Sequence, residues 1–354
     1  MQSITVERVA VPKEKPDFSN LGFGQYFTDH MFLLDYTEGS GWHTPRIVPY
    51  GPLTLDPASM VLHYGQETFE GLKAYRADDG RILLFRPQEN IRRMNRSNRR
   101  LQIAEIDETL FLEAIRALVR EDIDWVPTHP DTSLYIRPFI IAVDPYLGVR
   151  ASHTYRFLII LSPVGAYYPE GIDPVSILIE TEDVRAVKGG TGEAKTGGNY
   201  AATIRAQVRA KEKGYTQVLW LDGVHRRYIE EVGTMNVFFS LDGRVVTPPL
   251  EGSILPGVTR DSAIRLLTSW GVPVDQRAIS IDELVEAADA GRLSESFGTG
   301  TAAVISPIGS FDYNGRIIPV SGGRIGPLAR RLYDELTGIQ WGKREDSFGW
   351  TLEI

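Results

Sequence analysis

The chain has 354 residues, 42% of them hydrophobic and 24% charged, with 46 acidic against 38 basic side chains and a formal net charge of −8. That is an ordinary soluble composition, ample for two domains with sizeable cores, and its acidity disfavours nucleic acid as the main partner. The absence of Cys excludes disulfides, thiolate nucleophiles and Cys-ligated metal sites and fits a cytoplasmic protein, while the N-terminus lacks a signal-peptide core and no apolar run approaches a membrane span.

Residues 1–28 read as irregular, and HMFLLDY and RILLF as strands. After Pro87 comes a basic helical stretch, ENIRRMNRSNRRLQ, with a local basic patch over Arg92 to Arg100. Residues 108–125 give the clearest helix of this half: Leu110/Phe111, Ala114/Ile115 and Leu118/Val119 recur every four residues, with Asp107 as the N-cap. LYIRPFIIAV and YRFLIILS are apolar enough to be buried strands. PVGAYYPEGIDP, with three Pro and two Gly, marks an interdomain linker. The expected organisation is therefore a domain over 1–164, a linker over 165–174 and a second domain over 175–354.

The second half opens with the strand VSILIE, runs into the Gly-rich stretch GGTGEAKTGGNY, and continues as a helix from about 200 to 213 ended by Gly214. TQVLWLD and TMNVFFSL read as strands, and TRDSAIRLLTSWG as a helix closed by Gly271. SIDELVEAADAG carries a capping box, Ser280 with Glu283. Short strands, SESF and AAVIS, flank GTGT, and a helix near 325–337 precedes a Trp-containing tail. Strands and helices mix without strict alternation, so the fold class is α+β rather than a doubly wound sheet.

Lys195 sits between two Gly pairs. A lone Lys on such a loop either holds a phosphate as a point charge or attacks a carbonyl to form a Schiff base. Gly189 to Thr196 lies one residue from a P-loop, but VSILIE ends nine residues before Gly189, and Gly197 and Gly198 would weaken a helix opening at the Lys. GTGTAA mimics a dinucleotide fingerprint, yet VISPIGS after it is β-branched and holds Pro307; a backbone nest for an anion is the alternative. His30, His43, His63, His129, His153 and His225 form no metal-binding pair and there is no G-x-S-x-G, so metal-assisted and Ser–His–Asp hydrolysis lack support and no metal is expected.

Schiff-base chemistry with pyridoxal phosphate makes separate demands. The ring nitrogen needs a carboxylate, the phosphate needs an Arg and helix N-terminal amides, the phenolic oxygen needs a donor, and the substrate carboxylate needs a cation or amides. Glu231, Arg93, the LPGVTRDS turn, Tyr200 and GTGTAA are candidates, although on residue chemistry alone several other Glu and Arg serve equally. The selection comes from resemblance. FGQYFTDHM, LHYGQETFEGLKAYR, FRPQENIRRMNRS, SLYIRPF, LGV, SPVGAYYP, KTGGNYAA, EEVGTMNVF, LPGVTRDS and FGTGTAA stand in the order found in the branched-chain amino acid aminotransferases, which the chain resembles through nearly its whole length.

That resemblance implies the fold-type IV architecture of the D-amino acid aminotransferase kind, with a smaller N-terminal α/β domain and a larger C-terminal mixed domain. It implies pyridoxal 5'-phosphate held by Lys195, Tyr200 on the phenolic oxygen, Glu231 on the ring nitrogen, and Arg93, Val258 and Thr259 on the phosphate with Thr301 close by. The Thr301 and Ala302 amides, with Tyr135, would hold the substrate carboxylate. Phe23, Phe69 and Tyr200 would wall the side-chain pocket, and Arg137 would help accept the γ-carboxylate of glutamate. Tyr64, Leu147 and Val149 would reach the other subunit's pocket, so a homodimer is implied. The implied reaction is reversible transamination of L-leucine, L-isoleucine and L-valine with 2-oxoglutarate.

The residue-level alternatives stay open beside it. Phe23 and Phe69 serve equally as plain core, Arg93 as one solvated charge among Arg92, Arg96, Arg99 and Arg100, and Glu230 is interchangeable with Glu231. A D-amino acid aminotransferase, an aminodeoxychorismate lyase and a non-catalytic anion-binding protein are the alternative functions. Ala303 and Ser306 stand where some animal relatives carry a redox-active Cys pair, so thiol regulation of that kind is not expected.

Overall fold

The computed structural model describes residues 3–165 and 172–354. The chain forms two compact units. The first is Met1–Tyr167 with Ala194–Gly197 and Gly338–Ile354; the second is Tyr168–Glu193 with Gly198–Thr337. Most of the linker expected at 165–174 lies outside the described residues.

In the first unit a nine-stranded sheet runs in the order Thr5–Val6, Gly41–Pro49, His30–Thr37, Thr154–Val164, Ser133–Ala142, Leu72–Arg76, Ile82–Phe85 and Thr351–Glu353, with Glu67–Phe69 paired to Ser133–Ala142. The central strands are buried on both faces. Phe32, Leu34, Ile136, Ile140, Phe157 and Ile159 join one core with the helix Glu108–Glu121, while Met31, Leu33, Ile141 and Leu158 join a second cluster. Period-two alternation splits each strand between the two clusters, which is why these segments read as unbroken apolar runs.

The helix Glu108–Glu121 follows its sequence pattern. Phe111, Ala114, Ile115, Leu118 and Val119 are its buried residues, and the Asp107 carboxylate accepts the Leu110 amide at 2.9 Å. Each such buried aliphatic or aromatic side chain contributes about 1.5–3 kcal/mol. The helix Pro87–Arg100 behaves differently. Pro87 starts it, where a missing N–H is harmless, but its buried face includes Asn90, Arg93, Asn95, Ser97 and Asn98. Polar groups leave water only when hydrogen-bonded. Here Asn95 donates to the Ile106 carbonyl at 2.8 Å, and Asn98 accepts from Thr68 at 2.6 Å.

In the second unit the strands Ile229–Val232, Gln217–Leu221, Val175–Ile179, Val304–Tyr313, Leu293–Gly300 and Met235–Leu241 pair in that order, and the first and last pair with each other. A closed circuit results, extended by Arg244–Thr247 and Val274–Gln276. GTGTAA lies at a hairpin: Gly300 pairs with Val304, leaving 301–303 as the turn. Ser280 caps Ile281–Asp289 through the Glu283 amide, while the Glu283 carboxylate pairs with Arg277. The single helix expected over about 200–213 is two helices, Gly197–Ala201 and Ile204–Glu212.

Candidate active site

Lys195 is held through its backbone. Its amide donates to Ser97 Oγ at 2.9 Å, and its carbonyl accepts the Phe69 amide at 3.0 Å. Glu67 secures the next residues, accepting the Gly197 amide and, at 3.3 Å, the Thr196 hydroxyl. On the other side of the loop Thr191 and Asn199 clasp each other: Thr191 Oγ1 donates to Asn199 Oδ1, and Asn199 Nδ2 donates to the Thr191 carbonyl, both at 2.7 Å.

This local geometry separates the two glycines after Lys195. A Cβ on Gly197 would lie 2.6 Å from Glu67 Oε1, whereas one on Gly198 meets nothing within 4 Å. We therefore expect Gly197→Ala to destabilise the protein by about 0.5–1.5 kcal/mol, the net worth of one hydrogen bond, and to lower activity, because it displaces the Glu67 carboxylate that fixes the Lys195 turn. Gly198→Ala, at a helical position with open space, should be neutral or slightly stabilising. Thermal unfolding of the two variants checks this, and equal shifts would contradict it.

The Lys195 amine lies 4.6 Å from the centre of the Phe69 ring. Burial, and then the positive charge of Arg93, lower it from 10.5 to about 8, with Glu70 and Tyr135 opposing and Arg137 adding to the fall. Side-chain accessibility leaves Lys195 partly open while the surrounding protein desolvates its amine. Such an amine is neutral often enough near pH 8 to act as a nucleophile or base.

Arg93 is buried and paired bidentately with Glu70: Nε to Oε1 at 2.7 Å and Nη2 to Oε2 at 2.8 Å, with side-chain exposures of 5% and 0%. Asn90 Nδ2 and the Gly71 amide also donate to Glu70 Oε2. Burial alone would push the Glu70 carboxyl up; the Arg93 charge and hydrogen bonds reverse this and hold it below its ordinary value. Arg93 is thus distinct from its solvated neighbours Arg92 and Arg99.

Tyr135 and Arg137 share one side of Ser133–Ala142, as their spacing requires. Arg137 Nη2 donates to Tyr135 Oη at 3.2 Å, and its guanidinium lies 4.9 Å from the Phe69 ring and 5.3 Å from the Tyr135 ring. Phe23 meets Tyr135 edge-on with ring centres 5.0 Å apart. Phe69 therefore carries the Lys195 amine and the Arg137 guanidinium on one ring. Tyr64, Leu147 and Val149 lie outside this group: all three are exposed, and the Tyr64 hydroxyl donates to the Leu147 carbonyl.

The second unit gathers the other candidates. Glu231 is buried, its Oε2 lies 2.9 Å from Arg185 Nε, and its Oε1 accepts the Leu255 amide at 2.9 Å. Asn236 Nδ2 donates to the Leu255 carbonyl at 2.9 Å. Gly257, the N-cap of Val258–Ser269, has its Cβ position 2.1 Å from Asn236 Oδ1, so a larger residue there would displace the Asn236 side chain. The N-cap residue Gly257 offers that helix no side-chain cap, and Val258 and Thr259 contribute its first amides, which lack carbonyl partners within the helix. Thr301 and Ala302 sit in the hairpin turn, and Tyr200 lies in Gly197–Ala201. Strand alternation separates Glu231 from Glu230, which turns instead to accept the Ser253 hydroxyl.

Four contributors escaped the residue-by-residue reading. Glu67 and Glu70 lie inside a quoted motif, and Asn236 lies inside another, but nothing local marks them as partners. Arg185 carries no sequence signal, yet it joins Glu231 to the Gly-rich loop through the Gly192 carbonyl at 3.2 Å. Among the described residues no group of three or more His, Asp or Glu is placed to hold a metal ion, and no helix is long and apolar enough to cross a membrane.

Residues 67–311, more than half the chain, match the family described as Amino-transferase class IV. The chain belongs to that family. Within the class IV aminotransferases it belongs with the branched-chain amino acid aminotransferases, and it is an enzyme of that kind. It is 58% identical over 353 residues to branched-chain-amino-acid aminotransferase 2 of Bacillus subtilis (strain 168), covering 100% of this chain and 97% of that one. Among solved structures it is similar to the branched-chain amino acid aminotransferase of Escherichia coli, with 29% identity, a TM-score of 0.76, and 90% and 98% of the two chains covered. A T.th. branched-chain amino acid aminotransferase with pyridoxamine 5'-phosphate is 28% identical with a TM-score of 0.74, covering 90% and 97%. The mixed α+β arrangement is that of the fold-type IV class.

Proposed function

We propose that this aminotransferase transfers the amino group reversibly between L-leucine, L-isoleucine or L-valine and 2-oxoglutarate, using pyridoxal 5'-phosphate. The observation that carries the reading is the shared Phe69 ring, which places a lowered-pKa amine and a guanidinium on one apolar wall. A pocket of that kind takes a branched aliphatic side chain against the aromatic surface and a second carboxylate against the cation.

The residues fit the cofactor. Lys195 supplies a desolvated amine, Glu231 a buried carboxylate beside Arg185, and Val258–Ser269 an N-terminus to which its N-cap residue Gly257 offers no side-chain cap. When bound, pyridoxal phosphate supplies a carbonyl for the amino group and a ring that accepts electron density from the substrate carbon. Lys195 would hold the cofactor and, once released from it, move the proton at the substrate Cα. Glu231, which lies against Arg185, would pair with the ring nitrogen, and Tyr200 would donate to the phenolic oxygen. Arg93 and the Val258 and Thr259 amides would take the phosphate with Thr301 nearby. Tyr135 with the Thr301 and Ala302 amides would orient the substrate carboxylate; Phe23, Phe69 and Tyr200 would exclude water from the side chain. Exposure of Tyr64, Leu147 and Val149 supports their use against a second copy in a homodimer. A cytoplasmic location and a domain division at 165–174 belong to the same proposal.

Arg137 tests the dual-substrate part. Arg137→Leu should raise KM for 2-oxoglutarate by about tenfold or more, the equivalent of a charged hydrogen bond, while the leucine half-reaction changes by less than about threefold. Steady-state and single-turnover kinetics check this. Equal losses for both substrates would show that Arg137 does not discriminate between them.

A further inference from the structure

The second unit has a cavity of about 280 Å³ that none of the residues proposed above for cofactor or substrate lines. Pro248, Pro249, Ile254 and Ala278 form apolar wall, Val224 stands exposed at it, and Glu230 also lines it. Glu230 is 8% exposed; its Oε1 accepts the Ser253 hydroxyl, and its Oε2 has no hydrogen-bond partner among the described residues.

The charges around it do not balance. Glu230 and Glu231 are neighbours on one strand, and the Arg185 guanidinium, which also acts on Glu230 through space, lies 2.9 Å from Glu231. The other charged side chains at the cavity have hydrogen-bond partners of their own, although the Lys188 ammonium also acts on Glu230 through space. Lys188 pairs with Glu251, and Asp222 accepts the amides of Val224, His225, Arg227 and Tyr228. One buried carboxylate is left with an unfilled acceptor beside a space it lines, an arrangement that is costly until a donor or cation arrives. Burial, first, and the Glu231 charge both push the Glu230 carboxyl up, against Ser253 and Arg185, so a cation in the cavity would relieve the site. A hard metal ion suits it poorly, since such ions take six or more oxygens and among the described residues no group of three or more His, Asp or Glu is placed to hold one.

We propose that this cavity binds a small organic ammonium ion, whose N–H groups donate to the Glu230 carboxylate and whose hydrocarbon body lies against Pro248, Pro249 and Ile254. Its volume falls just under the roughly 300–1,000 Å³ of drug-sized sites, so the occupant is metabolite-sized. Free amines and free amino acids both carry this chemistry, and the probes must separate them without reacting at Lys195. Pyrrolidinium and L-proline do so, because they share a ring and neither has a primary amine.

Calorimetric titration of the holoenzyme with pyrrolidinium chloride should show saturable binding. The Kd should weaken at least tenfold in Glu230→Gln and in Val224→Arg, the second placing a cation at an exposed position that leaves the fold intact. Tetrahydrofuran, the uncharged ring, should not bind. Glu230-dependent binding of L-proline assigns the site to amino acids, and its rejection assigns carboxylate-free amines. No saturable binding of either probe, equal binding of tetrahydrofuran, or wild-type affinity in both variants would overturn the proposal.

Discussion

Lys195→Ala should leave a folded protein whose turnover is at least about 10⁴-fold slower, the upper range for losing a positioned acid–base group, and which holds pyridoxal phosphate without a covalent bond. Borohydride followed by mass spectrometry should add the cofactor to Lys195 in the wild type and to nothing in the variant. The fold should survive because Ser97 Oγ and the Phe69 amide hold Lys195 by its backbone, which Ala retains. The lowered amine sets a second, pH-dependent expectation. Only the neutral amine attacks a carbonyl, so the rate of loading the apoprotein with cofactor should rise roughly tenfold per pH unit below about 8 and level off above it. A plateau reached only near the ordinary lysine value of 10.5 would show that burial and Arg93 do not act on the amine as described.

Arg93→Met should destabilise the protein by about 3–5 kcal/mol, since it strands a wholly buried Glu70 carboxylate. The loss should also depend on pH with a definite sign. With Arg93 present the Glu70 carboxyl is held low, so its contribution is complete above the unfolded value of about 4.3 and is lost as pH falls through the lower folded value. Without Arg93 burial dominates, and acid-induced weakening should begin at higher pH. The double variant Glu70→Met/Arg93→Met separates structure from function. Replacing both members of a buried pair by apolar side chains is often nearly neutral, although Asn90 and the Gly71 amide lose an acceptor, so stability should return to within about 2 kcal/mol. Cofactor affinity should remain at least tenfold weak, because the guanidinium proposed for the phosphate is still missing. If affinity returned with stability, Arg93 would be structural only.

Elements with a long, consistent period were legible in the sequence. Glu108–Glu121 showed its four-residue stripe and its Asp107 cap, and Ser280 announced Ile281–Asp289. Gly41–Pro49 was not, because Pro45, a left-handed Thr44 at φ 56° and a register shift opposite Leu33 and Asp35 break its alternation. Glu67–Phe69 is three residues long, too short to carry a pattern. The paired helices Gly197–Ala201 and Ile204–Glu212 blurred into one because a brief interruption leaves the period nearly intact.

The site divides in the same way. Lys195 stands out locally between its two Gly pairs, whereas Phe23 and Phe69 are singled out by the resemblance alone. Glu231 and Glu230 are alike in sequence and part only in the fold, where Arg185 and the Leu255 amide meet Glu231 and the Ser253 hydroxyl meets Glu230. Glu70 and Arg185 act through partners distant in sequence, and a single sequence has no means of announcing such a pairing. The buried polar face of Pro87–Arg100 shows how tertiary pairing overrides a solvated pattern, since a basic helix that reads as solvated turns Arg93, Ser97 and Asn98 inward to meet Glu70, Lys195 and Thr68.

Lys195 and the Phe69–Arg137 wall are proposed to serve together in amino-group transfer from branched-chain amino acids and glutamate. Single-turnover spectroscopy of the holoenzyme, with amino acids added one at a time and cofactor absorbance followed, tests it most directly. L-leucine, L-isoleucine, L-valine and L-glutamate should each convert the cofactor to its amino form, and D-alanine should not. Conversion by D-alanine with no response to the three branched-chain amino acids would contradict the account.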